Sequence, residues 1–284
     1  MTKLTAFIDG SAYAESVCDH TAWMAKQLSA SVELVHVLGR RHDSQAPANL
    51  SGAIGLGARS ALMEELAEAD AQNARLAHKR GRLLLESAAE RLRADGVTDV
   101  AMKLMNGDFV QAVEAIGEDS RALIIGKRGE GADFASGHLG SNLERAVRAA
   151  RRPVFVAARA FSPIEKVLIA YDGGASAEKA VETVAESRVL AGTEVTVLAV
   201  AKEGDALAAK AAAAVNRLEA SAVTPKLVIR AGHAEAVIEE VAAQEGTDLL
   251  VMGAYGHSRI RTLVIGSTTT AVLTACKIPV LLVR

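Results

Sequence analysis

The sequence repeats itself, and the repeat constrains the fold more than any other feature. Each half opens with a short β-branched, apolar run that ends in Asp-Gly. The first is Leu4-Thr5-Ala6-Phe7-Ile8-Asp9-Gly10, and the second is Val167-Leu168-Ile169-Ala170-Tyr171-Asp172-Gly173. An Ala-rich helical stretch follows each, over 13–28 and 175–190, and then a second strand, Ser31–Leu38 and 194–201. Further on, Asn106-Gly107-Asp108 and Ala231-Gly232-His233 introduce helices over 109–118 and 234–244. Each leads into an apolar strand ending in glycine, Ala122–Gly126 and 248–253. Each half closes with a helix, a proline and a last strand, over 153–158 and 279–283.

The strands are nearly continuous apolar runs, which signals burial on both faces and a parallel sheet covered by helices. Strands alternating with helices make right-handed βαβ units. The expected fold is therefore α/β, with two tandem, doubly wound, parallel-sheet domains of Rossmann-like character. A boundary near residues 159–163 divides the chain into domains 1–160 and 161–284. Aromatics are 3% of the chain, so the core rests on aliphatic side chains.

The halves are unequal. The first has an inserted segment over 39–62, with Arg40-Arg41-His42-Asp43 and a glycine-spaced apolar loop over 50–57. That loop reads equally as a lid, a partner-binding loop or a disordered stretch. A long helical segment over 61–94 follows, where the second half has only 205–220.

Net charge is −2, which gives no electrostatic case for nucleic acid or a membrane surface. Two cysteines far apart, Cys18 and Cys276, fit a reducing compartment and small apolar roles in helices. Asp9 interrupts the N-terminal apolar run before a signal peptide develops, and no run of about 18 apolar residues occurs. The expected location is the cytoplasm. Arg145, Arg148, Arg151 and Arg152 are read as cations favourably placed at a helix C-terminus rather than as a docking patch.

In an open α/β sheet, ligands bind beyond the carboxyl ends of the strands, where the strand order reverses. After Met252 the chain reads Gly253-Ala254-Tyr255-Gly256-His257-Ser258-Arg259, and nine residues separate Gly256 from Gly266-Ser267-Thr268-Thr269. Glycines let backbone approach phosphate oxygens closely. Ser267 and Thr268 stand where a helix begins, so hydroxyls and free N–H groups can hold an anion. Asp172 ends a strand and can accept from ribose hydroxyls, although Asp-Gly is also an ordinary turn pair. His257 and Arg259 are within the same loop and suit phosphate or plain solvation.

The spacing Gly-x2-Gly-x9-Gly-Ser resembles the nucleotide-binding signature of the universal stress protein family, and the resemblance spans both halves. It implies a tandem member whose halves form an internal pseudo-dimer through their last strands, with a fold like that of the adenine-nucleotide alpha hydrolases. It implies adenine among Ala170, Val200 and Met252, and ribose at Asp172 and Gly253. Phosphates would meet Gly256, His257, Gly266, Ser267, Thr268 and Thr269. The ligand would be ATP, ADP or AMP, with or without Mg²⁺.

The first half departs from this pattern. Gly126-Lys127-Arg128-Gly129 is followed by ten residues before Gly140-Ser141, and Glu130 and Asp133 add negative charge. Asp9, Val37 and Ile125 match the ribose and adenine positions, and Lys127 and Arg128 are read as offsetting the loop acids. A second site at Asp9, Val37, Gly126, Gly129, Gly140 and Ser141 and a degenerate pseudo-site are equally open.

The function expected is a nucleotide-binding stress-response or signalling module, not an enzyme, with slow ATP hydrolysis as the outer limit. The sequence has no Gly-x-x-x-x-Gly-Lys-Ser/Thr loop, no Gly-x-Ser-x-Gly elbow and no His/Cys cluster at metal spacing. The alternatives are a scaffold that binds no nucleotide and an ATP-hydrolysing relative within the same superfamily. A homodimer or another protein partner is left open.

Overall fold

The computed structural model describes residues 2–39, 56–117, 119–129, 141–202, 204–254 and 267–284. The first half runs β1 (Lys3–Phe7), α1 (Ala14–Leu28), β2 (Ser31–Leu38), α2 (Leu56–Ala94), β3 (Val100–Asn106), α3 (Phe109–Gly117), β4 (Ala122–Gly126), α4 (Ser141–Ala149) and β5 (Val154–Ala157). The second runs β6 (Lys166–Tyr171), α5 (Ala175–Ala185), β7 (Glu194–Val200), α6 (Ala206–Glu219), β8 (Thr224–Arg230), α7 (Ala234–Glu245), β9 (Leu249–Gly253), α8 (Ser267–Ala275) and β10 (Val280–Val283).

All these strands lie in one sheet, in the order β3-β2-β1-β4-β5-β10-β9-β6-β7-β8. Within each half, neighbouring strands are parallel; β5 and β10 join the halves antiparallel. Phe155 pairs with Leu281 at the centre of that join, and Val156 with Val280 and Val154 with Leu282 on either side. The sheet is thus a palindrome about a pseudo-dyad, the internal pseudo-dimer that the family resemblance implied.

Helices cover both faces. Buried side chains of α1, α2, α5 and α6 share one apolar cluster, and those of α3, α4, α7 and α8 share the other. Both clusters draw on both halves, so the two cores are continuous across the dyad. The inner strands owe this to unbroken apolar runs such as Leu249-Leu250-Val251-Met252, each residue at most 5% exposed.

Three sequence expectations change. The strands β3 and β8 were not foreseen. They lie at the sheet edges and are half-exposed, so VAMKLMN and TPKLVIR lack the continuous apolar run of a doubly covered strand. The helix expected over 175–190 ends at Ala185, with buried Leu190 in the turn beyond. The long helix begins at Leu56, inside the segment 39–62, whose residues 40–55 lie outside the described ones.

Cations tie the halves together. The Lys127 ammonium donates to the Cys276 carbonyl just past α8, and the Arg284 guanidinium donates to the carbonyls of Arg148 (3.0 Å) and Ala150 (3.4 Å) at the end of α4. Each closing helix thus has a cation from the opposite half at its negative end. Burial pushes the Lys127 pKa down. Glu130 and Asp133, the loop acids that Lys127 and Arg128 were read as offsetting, lie outside the described residues. Arg145, expected at a helix end, instead faces Asp108 at 3.5 Å.

Candidate functional site

In each half the strand order reverses between the first strand and the one ending in glycine. That places the crevice beyond β6 and β9 in the second half, and beyond β1 and β4 in the first. Asp172 follows β6 directly. Its Oδ1 accepts the Gly174 N–H at 2.8 Å, closing a tight turn. Gly173 in that turn has φ +72°, and a β-carbon there would stand 2.9 Å from Leu207 Cδ1 of α6. The positive φ is what favours glycine here, since the Leu207 methyl is the movable end of a side chain. Asp9 repeats the turn, with Oδ1 accepting the Ser11 N–H at 3.0 Å.

Behind Asp172 the fold is braced. The phenol of buried Tyr171 donates to Glu178 of α5, and Arg217 of α6 pairs with the other oxygen of the same carboxylate. Burial, with the Glu178 hydrogen bond, raises the Tyr171 pKa, so the phenol stays protonated as a donor. This fixes α5 and α6 on the strand end that carries Asp172.

The three residues expected around the base share one sheet face. Ala170 is in register with Met252 on β9 and Leu198 on β7, and Val200 lies two residues beyond Leu198. Ala170 and Val200 are half-buried, and Met252 is buried. Gly253 has a packing reason of its own. A β-carbon there would stand 2.7 Å from Ser176 Cβ and 3.3 Å from the Ala177 amide, at the start of α5. Gly126 repeats this, 2.8 Å from Tyr13 Cβ.

Gly256, His257, Arg259 and Gly266 lie outside the described residues. Ser267 opens α8, which aims its N-terminal amides from the same end of the sheet. Thr268 is half-buried. Thr269 is 3% exposed, and its hydroxyl lies 3.5 Å from the Gly253 carbonyl, so it links α8 to β9. No His, Cys, Asp and Glu grouping suited to a metal ion occurs among the described residues.

In the first half, Asp9, Val37, Ile125, Gly126 and Gly129 gather at the equivalent place, Ser141 opens α4, and Gly140 lies outside the described residues. A β-carbon at Gly129 would stand 3.2 Å from Asp9 Oδ2, so a side chain there would crowd that carboxylate. Sequence reading passed over two residues here. Phe7 holds the register position of Ala170, and Phe109 opens α3 as Ala234 opens α7. Aligning the Asp-Gly ends and reading two residues back would have found Phe7, but one apolar residue for another left the strand pattern unchanged.

A family model described as the universal stress protein family matches residues 1–158 and 163–284. The chain belongs to the universal stress protein family. The universal stress protein Slr1230 of Synechocystis sp. is similar along its whole length, 37% identical over 287 residues and covering 100% of each chain. Among solved structures, a universal stress protein from Archaeoglobus fulgidus superposes with a TM-score of 0.74 at 18% identity, covering 99% of this chain and 98% of that one. A putative universal stress protein from Pseudomonas aeruginosa gives 0.63 at 15%, covering 100% and 93%. At these identities the structural likeness speaks to the fold. Two universal stress domains in tandem, facing each other across β5 and β10, account for the palindromic sheet.

Proposed function

We propose that the second half binds an adenine nucleotide in the crevice beyond β6 and β9, and that occupancy of this site is the signal the protein carries. The observation that carries the reading is one juxtaposition. A strand-end carboxylate (Asp172), a small apolar face (Ala170, Val200, Met252) and the N-terminus of α8 converge at the strand-order reversal, with Gly-x2-Gly-x9-Gly-Ser running between β9 and α8.

Each part has a chemical role. The apolar face offers a flat planar contact to adenine. The Asp172 carboxylate accepts from ribose hydroxyls. The α8 amides, with Ser267 and Thr268, receive phosphate oxygens, and His257 and Arg259 add donors. ATP, ADP and AMP share the base and ribose contacts; Mg²⁺ would enter with the phosphates rather than through a protein cage.

The reading is of a binding module rather than an enzyme, because the sequence offers no motif that would activate water or a nucleophile. Titrating ATP into the protein and into Asp172→Ala tests the site. Affinity should fall about 10- to 100-fold in the variant, the effect of removing a charge-assisted hydrogen bond worth about 1.5–3 kcal/mol. Equal affinity in the two would reject Asp172 as the ribose acceptor. Multiple turnovers of ATP with Mg²⁺, lost in the same variant, would reject the non-catalytic reading.

A further inference from the structure

We infer that the first half carries its own plug: the Phe7 and Phe109 rings fill the place that the base takes in the second half, so the tandem chain binds one nucleotide and binds it asymmetrically. The inference rests on the nucleotide reading of the second half for where the base lies.

The equivalence of the positions is set by register. Phe7 is in register with Val35, two residues before Val37 on β2. Ala170 is in register with Leu198, two residues before Val200 on β7. Phe109 is the first residue of α3, two residues after Gly107, whose φ is +134°. Ala234 is the first residue of α7, two residues after Gly232, whose φ is +148°. The same glycine-led turn therefore delivers a phenylalanine in one half and an alanine in the other.

The two rings meet. Their centroids are 5.1 Å apart at an interplanar angle of 75°, an edge-to-face pair of the kind that aromatic quadrupoles favour. Phe7 is 6% exposed, whereas Ala170 is half-buried. Both rings belong to the apolar layer that includes Val35, Val37 and Ile125, the face expected to meet a base. An aromatic pair there has the same chemistry as a base on an apolar shelf, supplied by the chain itself.

The plug also accounts for a chain of two universal stress domains with one intact signature. The filled half behaves as a permanently occupied partner, and only its neighbour across the dyad responds to nucleotide.

The test is to count adenosine equivalents by equilibrium dialysis in three full-length chains, each checked for folding by circular dichroism and thermal melting. Adenosine is used because it needs no phosphate loop. The wild type should take one equivalent, Ala170→Phe/Ala234→Phe none, and Phe7→Ala/Phe109→Ala two. Two equivalents in the wild type would overturn the plug while sparing the nucleotide reading. A folded Ala170→Phe/Ala234→Phe chain that binds like the wild type would also overturn it, as would a folded Phe7→Ala/Phe109→Ala chain that gains nothing. If either double variant fails to fold, the single variants Ala170→Phe and Phe7→Ala replace it under the same criteria. No adenosine uptake by the wild type would overturn the inference, which rests on a base seated in the second half; repeating the dialysis with ATP then decides whether the nucleotide reading fails with it.

Discussion

Phe155 and Leu281 occupy the same position in the two repeats and face one another across the antiparallel pair of β5 and β10. Phe155 is 2% exposed, and its ring lies 5.1 Å from that of His20. Both apolar layers cross the dyad at this point. The halves should therefore unfold as one cooperative unit. Phe155→Ala should cost about 3–5 kcal/mol, the usual loss for a large core aromatic, with a single urea transition kept. Two separated transitions in the wild type would show that the halves fold independently.

Gly253→Ala should destabilise the protein by about 1–3 kcal/mol, the range for an overpacked core. The added methyl would meet Ser176 Cβ and the Ala177 amide, and backbone cannot rotate away. Gly126→Ala should cost a similar amount through Tyr13. Both losses should appear without nucleotide in urea melts. If only nucleotide affinity changes, the glycines serve the ligand rather than the packing.

His20 gives the fold an acid-sensitive point. The ring is fully buried, and burial lowers its pKa. The Ser16 carbonyl, 2.7 Å from Nδ1, can only accept, so Nδ1 carries the proton in the neutral ring. Nε2 is buried with no hydrogen-bond partner among the described residues, so a second proton would have nowhere to donate. The unfolded chain binds a proton near pH 6.5, and the folded chain binds it only at lower pH. This contribution is thus fully present above about pH 6.5 and is lost as pH falls through that value toward the folded pKa. Between pH 8 and 5, wild-type urea midpoints should fall more steeply than those of His20→Leu. Parallel profiles would remove His20 from the account.

The two thiols should differ from a reactive cysteine. Burial, with Asp19 nearby, pushes Cys18 up to about 12, and burial also raises Cys276. Neither is a thiolate at neutral pH. A colorimetric disulfide reagent should react slowly with half-buried Cys276 and with Cys18 only on unfolding. Rapid native labelling of Cys18 would show that α1 opens readily.

The parts of the fold that sequence displayed are those where one physical demand acts alone. Val167-Leu168-Ile169 and Leu249-Leu250-Val251 are buried on both faces, and only an apolar run satisfies that. Edge strands meet a mixed demand. Met102 on β3 is 47% exposed, and Lys226 and Arg230 of β8 are charged, so neither segment looks like its neighbours. Asp172 and Gly253 were legible because strand-end position and glycine spacing are local properties. The reach of Lys127 to Cys276 was not, because it depends on how two halves meet across 149 residues of sequence. Phe7 hid behind its own hydrophobicity: it satisfies the strand pattern while changing the shape of the crevice.

The most direct test of the central claim is to denature the purified full-length chain, identify any released nucleotide by chromatography and mass, and repeat the count after saturation with ATP. One equivalent of adenine nucleotide per chain is expected, absent from Gly266→Val and unaffected by Gly140→Val. No nucleotide before or after saturation, or an equivalent that survives Gly266→Val, would contradict the claim.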